Sequence, residues 1–232
     1  FDHTVLNTIS NSDNNYEEQD LVFTGSLYTG YGFHGKRIEY LEKMIENGIN
    51  IKIYGNLEPH SKVLQKQMMY YTINFLKNIK GDFLIDNVSL LKKYKDYGKE
   101  PINYYSRSLI QSSYPPIFGI DMFKMLSRAK ICFNIHGEIA NKCAGNVRLF
   151  EATGVGSCLV TDWKENLKDL FDVDTEVVTY KSMEECIEKT KWLINNPAEA
   201  KKIALAGQRR TLKDHTIKNR ALLIHEIIKK RL

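Results

Sequence analysis

Between residues 145 and 162 the chain reads GNVRLFEATGVGSCLVTD, and this stretch narrows the fold more than any other. Its first half has the spacing of a short helix that begins at a glycine-asparagine turn. Its second half, residues 157–161, is a compact apolar run that stops at Asp162. A helix, a glycine-rich turn and a buried strand thus follow one another, and a strand of that kind must be covered on both faces. Glu151 lies inside the helix and Gly154 and Gly156 flank its end. The arrangement suits a site for a polyhydroxylated, phosphorylated ligand.

The rest of the chain supplies elements of the same kind. Residues 1–19 are polar, with Asn11, Asn14 and Asn15 around Ser12 and Asp13, and read as a linker entering the domain. Residues 20–26 (DLVFTGS) form a first strand stopped by glycine. A loop over residues 27–35 holds Gly30, Gly32 and Gly35 among Tyr28, Tyr31 and Phe33, and a helical pattern on Ile38, Leu41, Met44 and Ile45 follows it. Residues 49–54 give a second strand. Strand, glycine-rich loop, helix and strand make a βαβ unit, whose helix N-terminus faces the ligand side of a parallel sheet.

Backbone N–H groups at such a terminus attract phosphate. Lys36 and Arg37 stand in the first turn, where cations oppose the helix dipole. Either a bound diphosphate or simple surface exposure accounts for them. The glycines do not form the dinucleotide fingerprint G-x-G-x-x-G, because Gly25 stands alone at the strand end.

Residues 56–114 are the least legible. Residues 60–79 read as a helix, residues 83–85 as a short strand and residues 92–99 as a charged loop, and the tyrosines from Tyr104 to Tyr114 precede Pro115-Pro116, which breaks any helix. From Gly119 the pattern is regular again. A helix on Met122, Phe123, Leu126 and Ala129 leads to a strand over residues 131–135, which ends at His136-Gly137 and the polar loop GEIANKCAGN. Beyond Asp162 the pattern predicts a short helix at residues 167–171, a strand at 176–180 and helices at 183–194, 198–212 and 217–228. Alternating strands and helices throughout imply an α/β fold, a parallel sheet with helices on both faces.

Composition removes several classes. With 43% hydrophobic and 26% charged residues the chain is an ordinary globular one, and no run approaches the roughly 18 apolar residues of a membrane-spanning helix; a cytoplasmic protein is expected. A chain opening on Phe1 rather than methionine reads as a fragment or a processed form. The net charge of +5 is uneven: residues 201–232 carry ten Lys or Arg against Asp214 and Glu226, a local +8, leaving −3 for the first 200 residues. That argues against a nucleic-acid partner and leaves peripheral contact with an anionic membrane as one role for the basic C-terminal helices. Cys132, Cys143, Cys158 and Cys186 lack metal-ligand spacing and read as reduced thiols. No metal or cofactor is expected. Asp172 and Asp174 form a D-x-D string, but in a turn after Phe171 rather than at a strand end.

The runs PPIFGIDMFKMLSRAKICFNIHGE, GNVRLFEATGVGSCLVTD and ECIEKTKWLINNPAEAKKIALAGQRRTLKDHT resemble the C-terminal half of GT-B glycosyltransferases, close to the spore-maturation CgeB-like group. FTGSLY, KRIEYLEKM and IKIYGN are similar to the opening of that half. The resemblance implies a Rossmann-like domain over residues 20–232, with residues 56–114 a variable, mostly helical insertion. It also implies a nucleotide-diphosphate sugar as substrate, an acceptor of glycan, protein or lipid class, and an acceptor-binding N-terminal domain outside this chain.

On that resemblance Glu151 matches the glutamate that accepts from the ribose hydroxyls, a task for which a carboxylate suits a vicinal diol. Its other reading is an ion pair with Arg148 one turn earlier. Gly145, Asn146 and Val147 would offer N–H groups to the diphosphate and Arg148 a charge, with Gly25 and Ser26 opposite and Phe118 beside the base. The chain departs from the family pattern at Cys143, where many retaining members carry a sugar-contacting glutamate, and at Ser26, where many carry arginine. His136, at its strand end, is either structural or a contact to the sugar. Catalytic residues are not assigned by these positions. Beside the transferase reading stand a non-catalytic nucleotide- or glycan-binding module acting with a partner, and, against the missing fingerprint, a nicotinamide or adenosylmethionine enzyme.

Overall fold

The computed structural model describes residues 1–30, 35–137 and 140–230. Tyr31, Gly32 and Phe33 of the glycine-rich loop, and Glu138 and Ile139 of the polar loop, lie outside the described residues. Six strands, β1 (Gln19–Thr24), β2 (Lys52–Tyr54), β3 (Ser113–Tyr114), β4 (Ala129–Asn134), β5 (Cys158–Asp162) and β6 (Val178–Tyr180), form one sheet in the order β3-β2-β1-β4-β5-β6. Every pairing is parallel, with Phe23 opposite both Ile53 and Phe133, and Phe133 opposite Val160.

Alternation along the strands sorts the core into two layers. Leu21, Phe23, Ile131, Phe133, Cys158 and Val160 face one side, where they meet Leu41 and Met44 of α2 (Gly35–Glu46), Cys186 and Leu193 of α10 (Met183–Asn195) and Ile203 of α11 (Pro197–Asp214). Val22, Cys132 and Leu159 face the other, against Met125 of α7 (Gly119–Ser127), Leu149 and Ala152 of α8 (Arg148–Gly154) and Leu167 of α9 (Leu167–Leu170). Strands β1, β4 and β5 are therefore covered on both faces, which is why they read as near-continuous apolar runs. Gly156 makes the turn into β5 at φ +86, a left-handed conformation that glycine adopts at little cost.

Three sequence expectations are corrected. Residues 83–85 are not a strand but part of helix α4 (Asp82–Asn87); Ile85 is its one buried side chain, and an apolar triplet that short fits either structure. Residues 92–99 are not an open loop but the end of α5 (Ser89–Lys93) and a 3-10 turn (Lys95–Gly98) after the long α3 (His60–Asn78). Before β3 comes a short α6 (Arg107–Gln111). Third, the polar N-terminus contains a helix, α1 (His3–Ser10), capped by the Asp2 side chain on Thr4 N. Phe1 packs edge-on against Phe123 at 5.8 Å and against Gly154, which has no Cβ to obstruct it, and its carbonyl accepts from Ile217 N at 2.8 Å. The last helix, α12 (Ile217–Lys229), has no buried residue. No helix among the described residues is long and apolar enough to cross a membrane.

Candidate functional site

In a sheet of this order the chain reverses direction of travel between β1 and β4, and ligands of open parallel sheets lie outside the carboxyl ends of the strands at that point. Four of the strand ends here carry polar groups: Thr24 on β1, Asn134 and His136 at and beyond β4, Asp162 on β5 and Tyr180 on β6. The sequence candidates fall on both sides of this row.

On the β1 side, Arg148 at the start of α8 donates from Nη2 to Thr24 Oγ1 at 2.7 Å and from Nη1 to Met122 Sδ at 3.0 Å. Nη1 also lies 2.9 Å from Glu151 Oε2, the two side chains being only 15% and 20% exposed. The pair expected from the i, i+3 spacing therefore forms, and it is bound to the sheet rather than loose in solvent. Glu151 Oε2 is nevertheless buried without an aligned hydrogen-bond donor. Gly145 and Val147 are exposed, and Phe118, at the N-cap of α7, is 74% exposed. Asn146 reaches back to the sheet: its Nδ2 donates to Asn134 Oδ1 at 2.8 Å, Asn134 Nδ2 donates to Thr161 Oγ1 at 2.9 Å, and Asn146 Oδ1 is buried and unpaired. Cys143 is an exposed thiol, whereas burial pushes the thiols of Cys132, Cys158 and Cys186 up to about 12.

Gly25 N donates to Tyr54 O at 3.1 Å, which holds the tips of β1 and β2 together. Arg37 passes beneath this turn and donates from Nε to Ile135 O at 3.3 Å and from Nη1 to Ser26 O at 3.5 Å. Burial of its guanidinium lowers its pKa; Asp162 opposes the shift and Arg148 adds to it. Arg37 is thus half-buried among carbonyls, while Lys36 is exposed on the β4–β6 side. The two adjacent cations serve different neighbourhoods.

His136 is inside the protein, its side chain fully shielded. Its backbone N–H donates to Asp162 Oδ1 at 2.8 Å, its Nδ1 lies 2.6 Å from the same oxygen, and its Nε2 is buried with no partner. Burial pushes the Asp162 carboxyl upward, but the hydrogen bonds from His136 and the charge of Lys164, 3.2 Å from Oδ2, together hold it below the usual range. The sequence singled out both residues separately and did not pair them. The available signal was that each follows directly on an apolar strand, so neighbouring strands bring them side by side.

A second network was not anticipated. Glu58 Oε2 accepts from Thr29 N at 2.7 Å, from Thr29 Oγ1 at 2.8 Å and from Lys66 Nζ at 2.7 Å, and Lys66 also donates to Thr29 O at 2.7 Å. Tyr105 closes it, accepting from Glu58 N at 3.0 Å and donating to Leu27 O at 2.6 Å. This buried cluster ties the loop after β1 to α3. No local pattern marks it, because a Lys and a Glu on helical and loop segments ordinarily face solvent.

The order of the sheet and a polar row at its switch point define a Rossmann-like α/β domain matching those of GT-B glycosyltransferases. The chain belongs to the glycosyl transferase-like family, whose model matches residues 37–226. Similar solved structures include sucrose-phosphate synthase from Thermosynechococcus elongatus (TM-score 0.56, 12% identity, 99% of this chain and 49% of that one). HepE from Anabaena, solved in complex with UDP-glucose, aligns with TM-score 0.57 and 10% identity over 99% of this chain and 56% of that one. A glycosyltransferase from Rickettsia africae gives 0.53 and 11% over 98% and 51%. The chain spans about half the length of these structures. Among curated proteins none matches.

Proposed function

We propose that this chain is the donor-binding half of a GT-B glycosyltransferase of the CgeB-like group, moving a sugar from a nucleotide-diphosphate sugar to an acceptor. In this reading residues 20–232 are the donor domain, residues 56–114 its helical insertion, and the acceptor domain lies outside the chain. The observation that carries it is Glu151: a carboxylate oxygen at the switch point, buried beside Arg148 yet without an aligned donor. A ribose diol supplies such donors. Exposed Phe118 offers a face for the base, and the turn at Gly145–Val147 and the end of β1 at Gly25 and Ser26 flank the path of the diphosphate. That HepE has been solved with UDP and with UDP-glucose supports the ligand class.

Departure of a diphosphate builds negative charge, which preorganised N–H groups and cations stabilise without reorganising. Arg37 and Arg148, both anchored at the end of β1, are the cations assigned this role, and no metal is invoked. Calorimetric titration with UDP, GDP, dTDP, CMP and NAD tests the reading. One nucleoside diphosphate is expected to bind, and Glu151→Ala to weaken it about 10- to 100-fold, the range for a hydrogen bond to a charged group. Binding of NAD with failure of every diphosphate overturns it. A binding module without transferase activity is favoured by one feature, the exposed thiol of Cys143 where a sugar-contacting glutamate would stand; absence of both transfer and hydrolysis in the full-length protein decides for it.

A further inference from the structure

Beyond the carboxyl ends of β4, β5 and β6 lies a cavity of about 380 Å³. Three lysines from three separate elements line it: Lys36 of α2, Lys164 after β5 and Lys181 after β6. Asp162 is the one carboxylate lining it among the described residues, and it is already committed, Oδ1 to His136 and Oδ2 to Lys164. Lys164 is itself only 16% exposed and donates to Asn141 O at 2.8 Å, so its ammonium is fixed in place. Lys181 lies over the Trp163 ring at 5.0 Å, and Glu185 accepts from its backbone rather than its ammonium. Tyr180 turns its hydroxyl away to Asn134 O at 3.1 Å.

His136 also lines this cavity, and its Nε2 is a fully buried polar atom that nothing in the protein satisfies. Such atoms are rare in native structures and point to a missing partner. With the Asp162 carboxylate opposite Nδ1, that nitrogen carries a proton, and Nε2 is the remaining position of the ring: it accepts from the O–H of a monoprotonated phosphate, or donates to an anion when the ring is protonated.

We propose that this cavity is a subsite for an anionic group, a carboxylate or phosphate carried by one of the two sugar substrates, held by Lys36, Lys164, Lys181 and His136 Nε2. The proposal rests on the donor reading above and narrows it to charged rather than neutral saccharides. Asp162 is a positioning residue: it fixes the ring and does not touch the ligand.

The anion has two sources, the donor sugar or the acceptor, and two titrations separate them. In the first, UDP-glucuronate is compared with UDP-glucose, or GDP-mannuronate with GDP-mannose if guanine is the base bound. In the second, inorganic phosphate is titrated into the protein with and without saturating nucleoside diphosphate, while the His136 ring signals are followed by NMR. Both are repeated with Lys164→Met/Lys181→Met and, because Lys164 also holds Asp162, with the exposed Lys181→Met alone. A uronate preference of tenfold or more, lost in the double variant and reduced in the single one while the plain diphosphate still binds, assigns the anion to the donor. Equal binding of uronate and neutral donors, with phosphate moving the His136 signals and the variants abolishing that response, assigns it to the acceptor. If neither titration discriminates, the subsite is overturned although diphosphate binding leaves the donor reading intact. If phosphate moves His136 and no diphosphate binds, the subsite stands and the donor reading fails.

Discussion

The stretch from β4 to β6 and the helical stretch between β2 and β3 use their apolar residues in opposite ways. In the first, Phe133 is 1% exposed and Cys158, Leu159 and Val160 are fully buried. In the second, Tyr71, Phe75 and Phe83 are 69%, 62% and 75% exposed, and α3 keeps only Val63, Lys66 and Ile73 inside. Apolar composition is alike in the two, so composition does not decide which residues form a core. Cover does: the central strands have a helix layer on each face, and the outer face of α3 to α5 has none among the described residues. The Glu58–Lys66–Thr29 cluster ties the second stretch to the loop after β1, and Val63, Ile102 and Leu109 join it to the main core.

The contrast can be broken by paired substitutions. Phe133→Ala should cost about 3–5 kcal/mol, the range for emptying an aromatic from a packed core, read from urea unfolding. Phe83→Ala should stay within about 0.5 kcal/mol, as for surface positions; a comparable loss at both would show that the exposed stripe is covered in solution. Lys66→Met is expected to cost about 3 kcal/mol, because Glu58 keeps its buried charge and loses its closest cation. Pairing it with Glu58→Gln should recover much of that, since the orphaned charge is then gone. No recovery would mean that the cluster serves only to pack α3.

A smaller effect sharpens the other side. The Asp162 carboxyl is held below its usual range, so its contribution to stability is complete above the unfolded-state value of 3.8 and is lost as pH falls through the folded one. Asp162→Asn should therefore lower the urea midpoint at pH 7, by about 1–3 kcal/mol in stability for a charged hydrogen-bond partner. Near pH 3 the gap between variant and parent should shrink. A gap unchanged with pH would show that the asparagine acts through packing alone. Least of all, Phe118→Ser should leave stability unaltered within about 0.5 kcal/mol, so that any fall in nucleotide affinity reports on the base.

Legibility followed the same division. Strands β1, β4 and β5 and helices α7, α8, α10 and α11 lie within a few residues of the sequence expectation, because full burial imprints an unbroken apolar run and one-sided burial a helical period; α12 does so as well, although it buries no residue. The segment 83–85 was misread and residues 1–19 hid a helix, since α4 buries one residue and α1 none. At the site, Glu151 and Arg148 were legible as a pair because they are one turn apart on one helix.

The sequence by itself determined the alternation of strands and helices, the turn at Gly156 and the residues available at the strand ends. Tertiary structure decided which of those ends are neighbours. It set β4 between β1 and β5, and so brought His136 onto Asp162 and Arg148 onto Thr24, and it set β2 beside β1, which brought Thr29 onto Glu58 and Lys66. The physical reason is that periodicity records only which face of an element is buried. The partner of a buried polar group is chosen by what the completed sheet brings within hydrogen-bond reach, a choice that no local run of residues records.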